Sequence, residues 1–190
     1  MGMKYYQEIT LLPDDTGIST AFLWSKVFFQ LHLVLAAEKE KRGKGIFAVS
    51  FPQYHKEGLG NKLRVFAENE AALEELHLAN VLQRFQEYVH ITGVRPVRKN
   101  HSWAVYKRYQ PDGSVHQKAK RYSKRHDVTY EEACRIMKSK KKETLPYIPL
   151  RSASNRQTFS LFIQKITADE KHIQSFSAYG LSTDSTVPEF

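Results

Sequence analysis

Cysteine is almost absent: Cys134 stands alone in 190 residues. A single thiol excludes an internal disulfide and any zinc site built from several cysteines. It reads as a small buried hydrophobe and suits a reducing, cytoplasmic compartment. No apolar run approaches the roughly 20 residues that span a bilayer. The opening residues 1–8 lack the basic and apolar regions of a signal peptide. No membrane partner is expected. Also missing are a Gly-rich phosphate loop followed by Lys-Ser or Lys-Thr, and a His-Glu-x-x-His pair. The eight histidines are scattered, none at ligand spacing from another. No metal or cofactor is expected.

Acidic residues are scarce in one half only. Residues 95–190 hold 9 Asp+Glu against 19 Lys+Arg, a net of +10. Residues 1–94 hold 11 against 10, a net of −1, and the whole chain carries +9. Such asymmetry points to a polyanion, because each cation near a phosphate releases a condensed counterion. A solvated basic face without a partner would carry the same charge. A carboxylate cluster holding catalytic magnesium is not expected in so basic a half.

The hydrophobic pattern predicts an α+β protein. Residues 5–12 alternate and end at Pro13-Asp14-Asp15, a strand and a turn. Ser19 or Thr20 caps a helix expected to run to about Ala37, with Phe22, Leu23, Val27, Leu31, Val34 and Leu35 at helical spacing. Short strands follow at 46–51 and 63–67. Asn69 and the acids after it read as a helix start, and residues 88–94 as a closing strand. This β-α-β-β-α-β order predicts a ferredoxin-like (RRM-like) domain over residues 1–94. Residues 95–190 are expected to form a second, RNA-binding domain. It would hold a turn at Pro111-Asp112-Gly113, a basic helix over 117–126, and a second helix from Thr129 to about Lys138. A small β-sheet would follow, from 147–151, 159–165 and 172–176. In the basic helix Lys118, Arg121 and Arg125 share a face, and Lys120 and Lys124 are four apart.

If RNA is cut, these absences leave the work to His, Tyr, Ser, Lys or Arg. That suits attack by the RNA's own 2′-hydroxyl, with the enzyme positioning the strand and moving protons. His32, among Phe28, Phe29, Leu31 and Leu33, is the histidine of interest. By pattern alone it fits a structural or exposed role as well as a catalytic one. Spacing does not join it to the 150–154 and 179–182 segments.

Several short motifs occur in one order along nearly the whole chain. They are Leu31-His32, Val49-Ser50-Phe51-Pro52, Lys124-Arg125-His126-Asp127 with Glu131-Glu132-Ala133, and Leu150-Arg151-Ser152-x-Ser154. Phe159-x-Leu161-Phe162-Ile163 and Tyr179-Gly180-Leu181-Ser182 follow, then Val187-Pro188 and Phe190. Together they resemble the type I-F CRISPR endoribonuclease family, which processes precursor CRISPR RNA. The resemblance implies an N-terminal ferredoxin-like domain and an arginine-rich helix that enters the major groove of the repeat hairpin. It also implies metal-independent cutting at the 3′ base of the stem and retention of the mature crRNA. By the same resemblance His32 takes the 2′-hydroxyl proton, Ser152 holds the ribose at the cut and Tyr179 orients the histidine. Ser154 contacts RNA near the site, Phe159 stacks under the terminal base pair, and Arg108 and Gln110 read bases at the foot of the stem. Lys118, Lys120, Arg121, Lys124, Arg125 and His126 fall on the groove helix. Lys120 and Lys124 replace arginines familiar in the family. Lysine lacks the planar fork that pairs with guanine, so base reading falls on Arg121. Asn155 stands where a hydroxyl residue is expected. Other subunits of the type I-F surveillance complex are expected partners. The alternative is a non-catalytic subunit that binds the same hairpin, and a sequence-specific DNA-binding protein comes third.

Overall fold

Alternation in the first strand places Tyr6, Ile9 and Leu11 in the core, as a period of two requires. The computed structural model describes residues 2–12, 17–110, 115–139, 144–152 and 157–190. The turns expected at Pro13-Asp14-Asp15 and Pro111-Asp112-Gly113 lie outside these residues, as do Ser154 and Asn155.

β1 (Tyr5–Leu11) is followed by α1 (Thr20–Arg42), β2 (Ala48–Ser50), β3 (Lys62–Ala67), α2 (Glu70–Glu74), α3 (Leu78–Val81), β4 (Val89–Ile91) and β5 (Arg95–Pro96). The first sheet has the order β2-β3-β1-β4, with β5 also paired to β1, and each of these pairings is antiparallel. Ser19 caps α1, its Oγ accepting from Phe22 N–H at 3.3 Å. The helix runs five residues past the end expected at Ala37. Glu38 pairs with Lys41 at 3.6 Å and Arg42 at 2.7 Å. Basic side chains in the last turn also oppose the helix dipole favourably. Gly43, at φ 68°, then ends it. By length and composition α1 is the exception to the expected lack of a membrane-length apolar run. Its Leu23, Trp24, Val27, Phe28, Leu31 and Leu35 are buried in the core. Asn69 caps α2, accepting from Ala72 N–H at 2.9 Å. That helix stops early because the chain turns through His77, at φ 47°.

The second sheet has the order β7-β8-β6-β9, from β6 (Ser102–Tyr109), β7 (Tyr147–Arg151), β8 (Thr158–Ala168) and β9 (Val187–Glu189). Residues 172–176, expected as a strand, are not one. Side-chain hydroxyls take their backbone groups instead: His172 N–H donates to Thr186 Oγ1 at 2.9 Å, and Gln174 N–H to Ser185 Oγ at 3.0 Å.

Residues 1–108 with 145–190 form one compact unit, and residues 109–144 form the other. The division is not the one expected at residue 94. β6, β7, β8 and β9 bury Ala104, Ile148, Leu161 and Val187 in the same core as Ile9 and Leu31, so both sheets belong to the first unit. The second unit holds α4 (Val115–His126) and α5 (Tyr130–Ser139), packed against each other. Thr129 caps α5, accepting from Glu132 N–H at 3.2 Å. Cys134, expected to be buried, is half-buried on α5.

Candidate active site

The helical spacing that buries Phe28, Leu31 and Leu35 leaves His32 half-buried at the side of α1. A loop from the far end of the chain meets it there. Residues 177–180 form a turn closed by Gly180 N–H to Ser177 O at 2.9 Å, and Ser177 N–H donates to Leu181 O at 2.7 Å. The loop is docked on β2 by Val49 N–H to Gly180 O at 2.9 Å, and on β6 by Ser182 N–H to Tyr106 O at 3.0 Å. Tyr106 is itself anchored: its hydroxyl lies 3.0 Å from Phe51 O and 2.9 Å from a Glu189 carboxylate oxygen. Burial first, and then the Glu189 charge, hold its phenol well above the ordinary tyrosine range, so it remains a neutral donor.

Docked in this way, the loop holds His32 at two points. The Ala178 carbonyl lies 3.0 Å from His32 Nδ1. The Tyr179 ring stacks on the imidazole, centroids 4.1 Å apart and planes 13° from parallel. Tyr179 is also nearly parallel to Phe28, at 6.5 Å and 5°. A carbonyl oxygen only accepts, so Nδ1 carries the proton in this contact. In the neutral ring Nε2 is then the basic nitrogen.

The β7–β8 hairpin brings the remaining groups. Leu150 pairs with Phe159 and Arg151 with Thr158. One step beyond the strand, Ser152 N–H donates to Gln157 O at 2.8 Å, which fixes the serine backbone. Phe29, His32, Leu150, Arg151, Ser152, Phe159 and Tyr179 line one cleft of about 230 Å³. The Arg108 guanidinium lies 5.4 Å from the Phe159 ring centroid and 5.9 Å from that of Tyr179, within cation–π range of both. The cleft therefore offers an imidazole, hydroxyls, cations and aromatic faces. Among the described residues that line it, none is a carboxylate. Among the described residues, no three His, Cys, Asp or Glu side chains gather as a metal-ligand set.

The family model for "CRISPR-associated protein (Cas_Csy4)" matches residues 6–190. The chain belongs to the CRISPR-associated Csy4 family. Two relatives carry the name "CRISPR-associated endonuclease Cas6/Csy4". One, from Escherichia coli strain UTI89, is 31% identical over 191 residues, covering 99% of this chain and 100% of the relative. The other, from Pseudomonas aeruginosa strain UCBPP-PA14, is 30% identical over 196 residues, covering 99% and 100%. The family resemblance drawn from the ordered motifs is thus family membership along almost the whole chain.

Of the residues singled out from sequence, His32, Ser152, Tyr179 and Phe159 share the cleft, and Arg108 stands over two of its rings. Gln110 is exposed in the second unit. Lys118, Lys120, Arg121, Lys124, Arg125 and His126 lie on α4, and the side chains of Lys120, Arg121, Lys124, Arg125 and His126 are exposed. The His126 ring stacks on Tyr122 at 4.1 Å. Three contributors were missed. Ala178 acts through its backbone carbonyl, Phe29 lies within an apolar helix run, and Arg151 sits in a noted motif but had no role assigned.

Proposed function

We propose that this chain is a metal-independent endoribonuclease that processes precursor CRISPR RNA. It binds the repeat hairpin, cuts at the 3′ base of the stem and stays bound to the mature crRNA. The observation that carries this reading is His32, held by the Ala178 carbonyl and the Tyr179 ring in a cleft lined by Ser152. The names of the relatives, which call them endonucleases, support the reaction class.

In this mechanism Ser152 holds the ribose at the cut, and Nε2 of His32 accepts its 2′-hydroxyl proton. The freed oxygen attacks the adjacent phosphorus. The bond to the 5′-oxygen breaks, and that oxygen takes a proton from solvent water. The products are a 2′,3′-cyclic phosphate (or the 3′-phosphate from its hydrolysis) and a 5′-hydroxyl. Tyr179 keeps the imidazole in place, and positioning supplies much of the acceleration. Phe159 stacks under the terminal base pair while Arg108 and Gln110 meet the foot of the stem. An RNA major groove is deep and narrow, but the end of a short hairpin is open to a thin basic helix. α4 fills that role with Lys120, Arg121, Lys124, Arg125 and His126, and Ser154 adds a contact near the cut. The order of β1, α1, β2, β3, α2 and β4, with β2-β3-β1-β4 in the sheet, supports a ferredoxin-like reading of the first domain. The working setting is the cytoplasm, with other subunits of the type I-F surveillance complex as partners.

The test is a labelled repeat hairpin incubated in EDTA with wild type and His32→Ala. Wild type is expected to cut and leave the cyclic phosphate. The variant should bind within a few-fold of wild type and lose about 10²–10⁴ in rate. Activity lost in EDTA and restored by magnesium would overturn the mechanism. A hairpin bound and never cut would leave a binding subunit.

A further inference from the structure

A second, larger groove of about 790 Å³ opens off the catalytic cleft, and the two share Phe29, Leu150, Arg151 and Ser152. It follows α1 toward the helix N-terminus, along Lys26, Ser25 and Phe22. Phe22 stands about 15 Å along the helix axis from His32, at 1.5 Å per residue. Phe22 is 51% exposed. Lys26 Nζ lies 5.1 Å from the centre of its ring. Among the described residues, no acidic one lines the groove.

We propose that this groove binds the unpaired RNA strand immediately 3′ of the cut, with a base stacked on Phe22 and a phosphate held by Lys26. The assignment rests on the reading of the cleft given above, and continuity sets the direction. In that reading the stem ends on Phe159 and Arg108, and Phe159 lines the cleft but not the groove. The strand downstream of the scissile phosphate must leave the cleft on another side, and the groove begins at the cleft wall formed by Phe29 and Ser152. Its chemistry fits this occupant. Unpaired nucleic acid is held by aromatic faces for bases and cations for phosphates, with little demand on sequence, and lysine serves as a point charge for phosphate.

The experiment uses the full chain and hairpins with 2′-deoxyribose at the scissile nucleotide, so that binding is read without cutting. One hairpin carries a single nucleotide 3′ of the cut, a second carries six unpaired nucleotides there, and a third carries the six on the 5′ side of the stem. Wild type is expected to bind the long 3′ tail about tenfold more tightly than the short one, the value of one stacked base. The Phe22→Ala, Lys26→Ala double variant should lose that preference. Both side chains are exposed, so the fold should persist, and an unchanged melting temperature checks this. The proposal is overturned if wild type shows no tail preference, if the double variant keeps it, or if the variant weakens the 5′-extended hairpin instead. Failure of wild type to bind any of the hairpins would overturn the underlying reading of the cleft, and the groove assignment with it.

Discussion

Replacing Gly180 with alanine tests whether the loop at 177–181 sets the geometry of His32, and it does so without altering a side chain that the proposed mechanism places against RNA. Gly180 has φ 70°, and a Cβ there would lie 2.6 Å from Val49 Cγ1 and 3.2 Å from Val49 N. The left-handed conformation alone costs an L-residue about 1–2 kcal/mol. The contact adds to this, because Val49 N is tied to Gly180 O at 2.9 Å and its backbone does not swing aside freely. A domain of ordinary stability, about 5–15 kcal/mol, survives such a loss. The loop is expected to draw back from β2, and it carries both the Ala178 carbonyl and the Tyr179 ring that hold His32. A displacement of about 1 Å at a reacting group can cost about 10² in rate. Single-turnover cleavage at saturating protein should therefore slow by about that factor. Hairpin affinity should change little, and urea unfolding should show a loss of at least about 1–2 kcal/mol. Val49→Ala in the same chain removes the closest contact and should recover part of the rate. A Gly180→Ala protein that cuts at the wild-type rate while showing the stability loss would refute the claim that this loop positions His32.

Two further outcomes follow from charge. Glu8 accepts from Lys62 at 3.0 Å and from Arg64 at 2.8 Å, and Glu8 and Arg64 side chains are only 12% and 11% exposed. Burial raises the carboxyl's pKa, but the hydrogen bonds and charges of Lys62 and Arg64 outweigh it, so its folded value lies below the ordinary carboxylate range. The stability it contributes is then full above the unfolded carboxylate pKa and is lost as pH falls through the lowered folded one. Glu8→Gln should be less stable by about 1–3 kcal/mol at pH 7, with the gap to wild type closing in acid; urea unfolding that shows a constant gap down to pH 3 would sink the assignment. On α4, Arg121→Ala or Arg125→Ala should weaken hairpin binding far more than Lys56→Ala in the near-neutral half, and each should reduce the salt slope by about one. Equal losses in titrations at fixed salt would mean that the basic charge acts only as a diffuse field.

How much of this was legible depended on whether a feature is local. The apolar spacing of Val27, Leu31 and Leu35 shows α1, and Ser19 marks its start. Its last turn is hidden, because Glu38, Lys41 and Arg42 look like a charged loop until their spacings are read as ion pairs along a helix. β6 was overlooked because Lys107 and Arg108 lie in a basic stretch, although Ala104, Val105 and Tyr106 are buried. Residues 172–176 have strand composition, yet the hydroxyls of Thr186 and Ser185, more than ten residues away, take the N–H groups of His172 and Gln174. The cleft is the extreme case. His32 and Ala178 are 146 residues apart, so no spacing rule joins them; the ordered family motifs alone brought His32, Ser152 and Tyr179 together in advance. The atom that sets the histidine's tautomer could not be found that way, because a backbone carbonyl belongs to every residue and marks none. What the sequence does carry of that contact is indirect. Gly180 is the residue that lets the chain turn at positive φ against Val49, and this close approach places the Ala178 carbonyl within reach of His32. The geometry around His32 is thus written partly in a residue with no side chain.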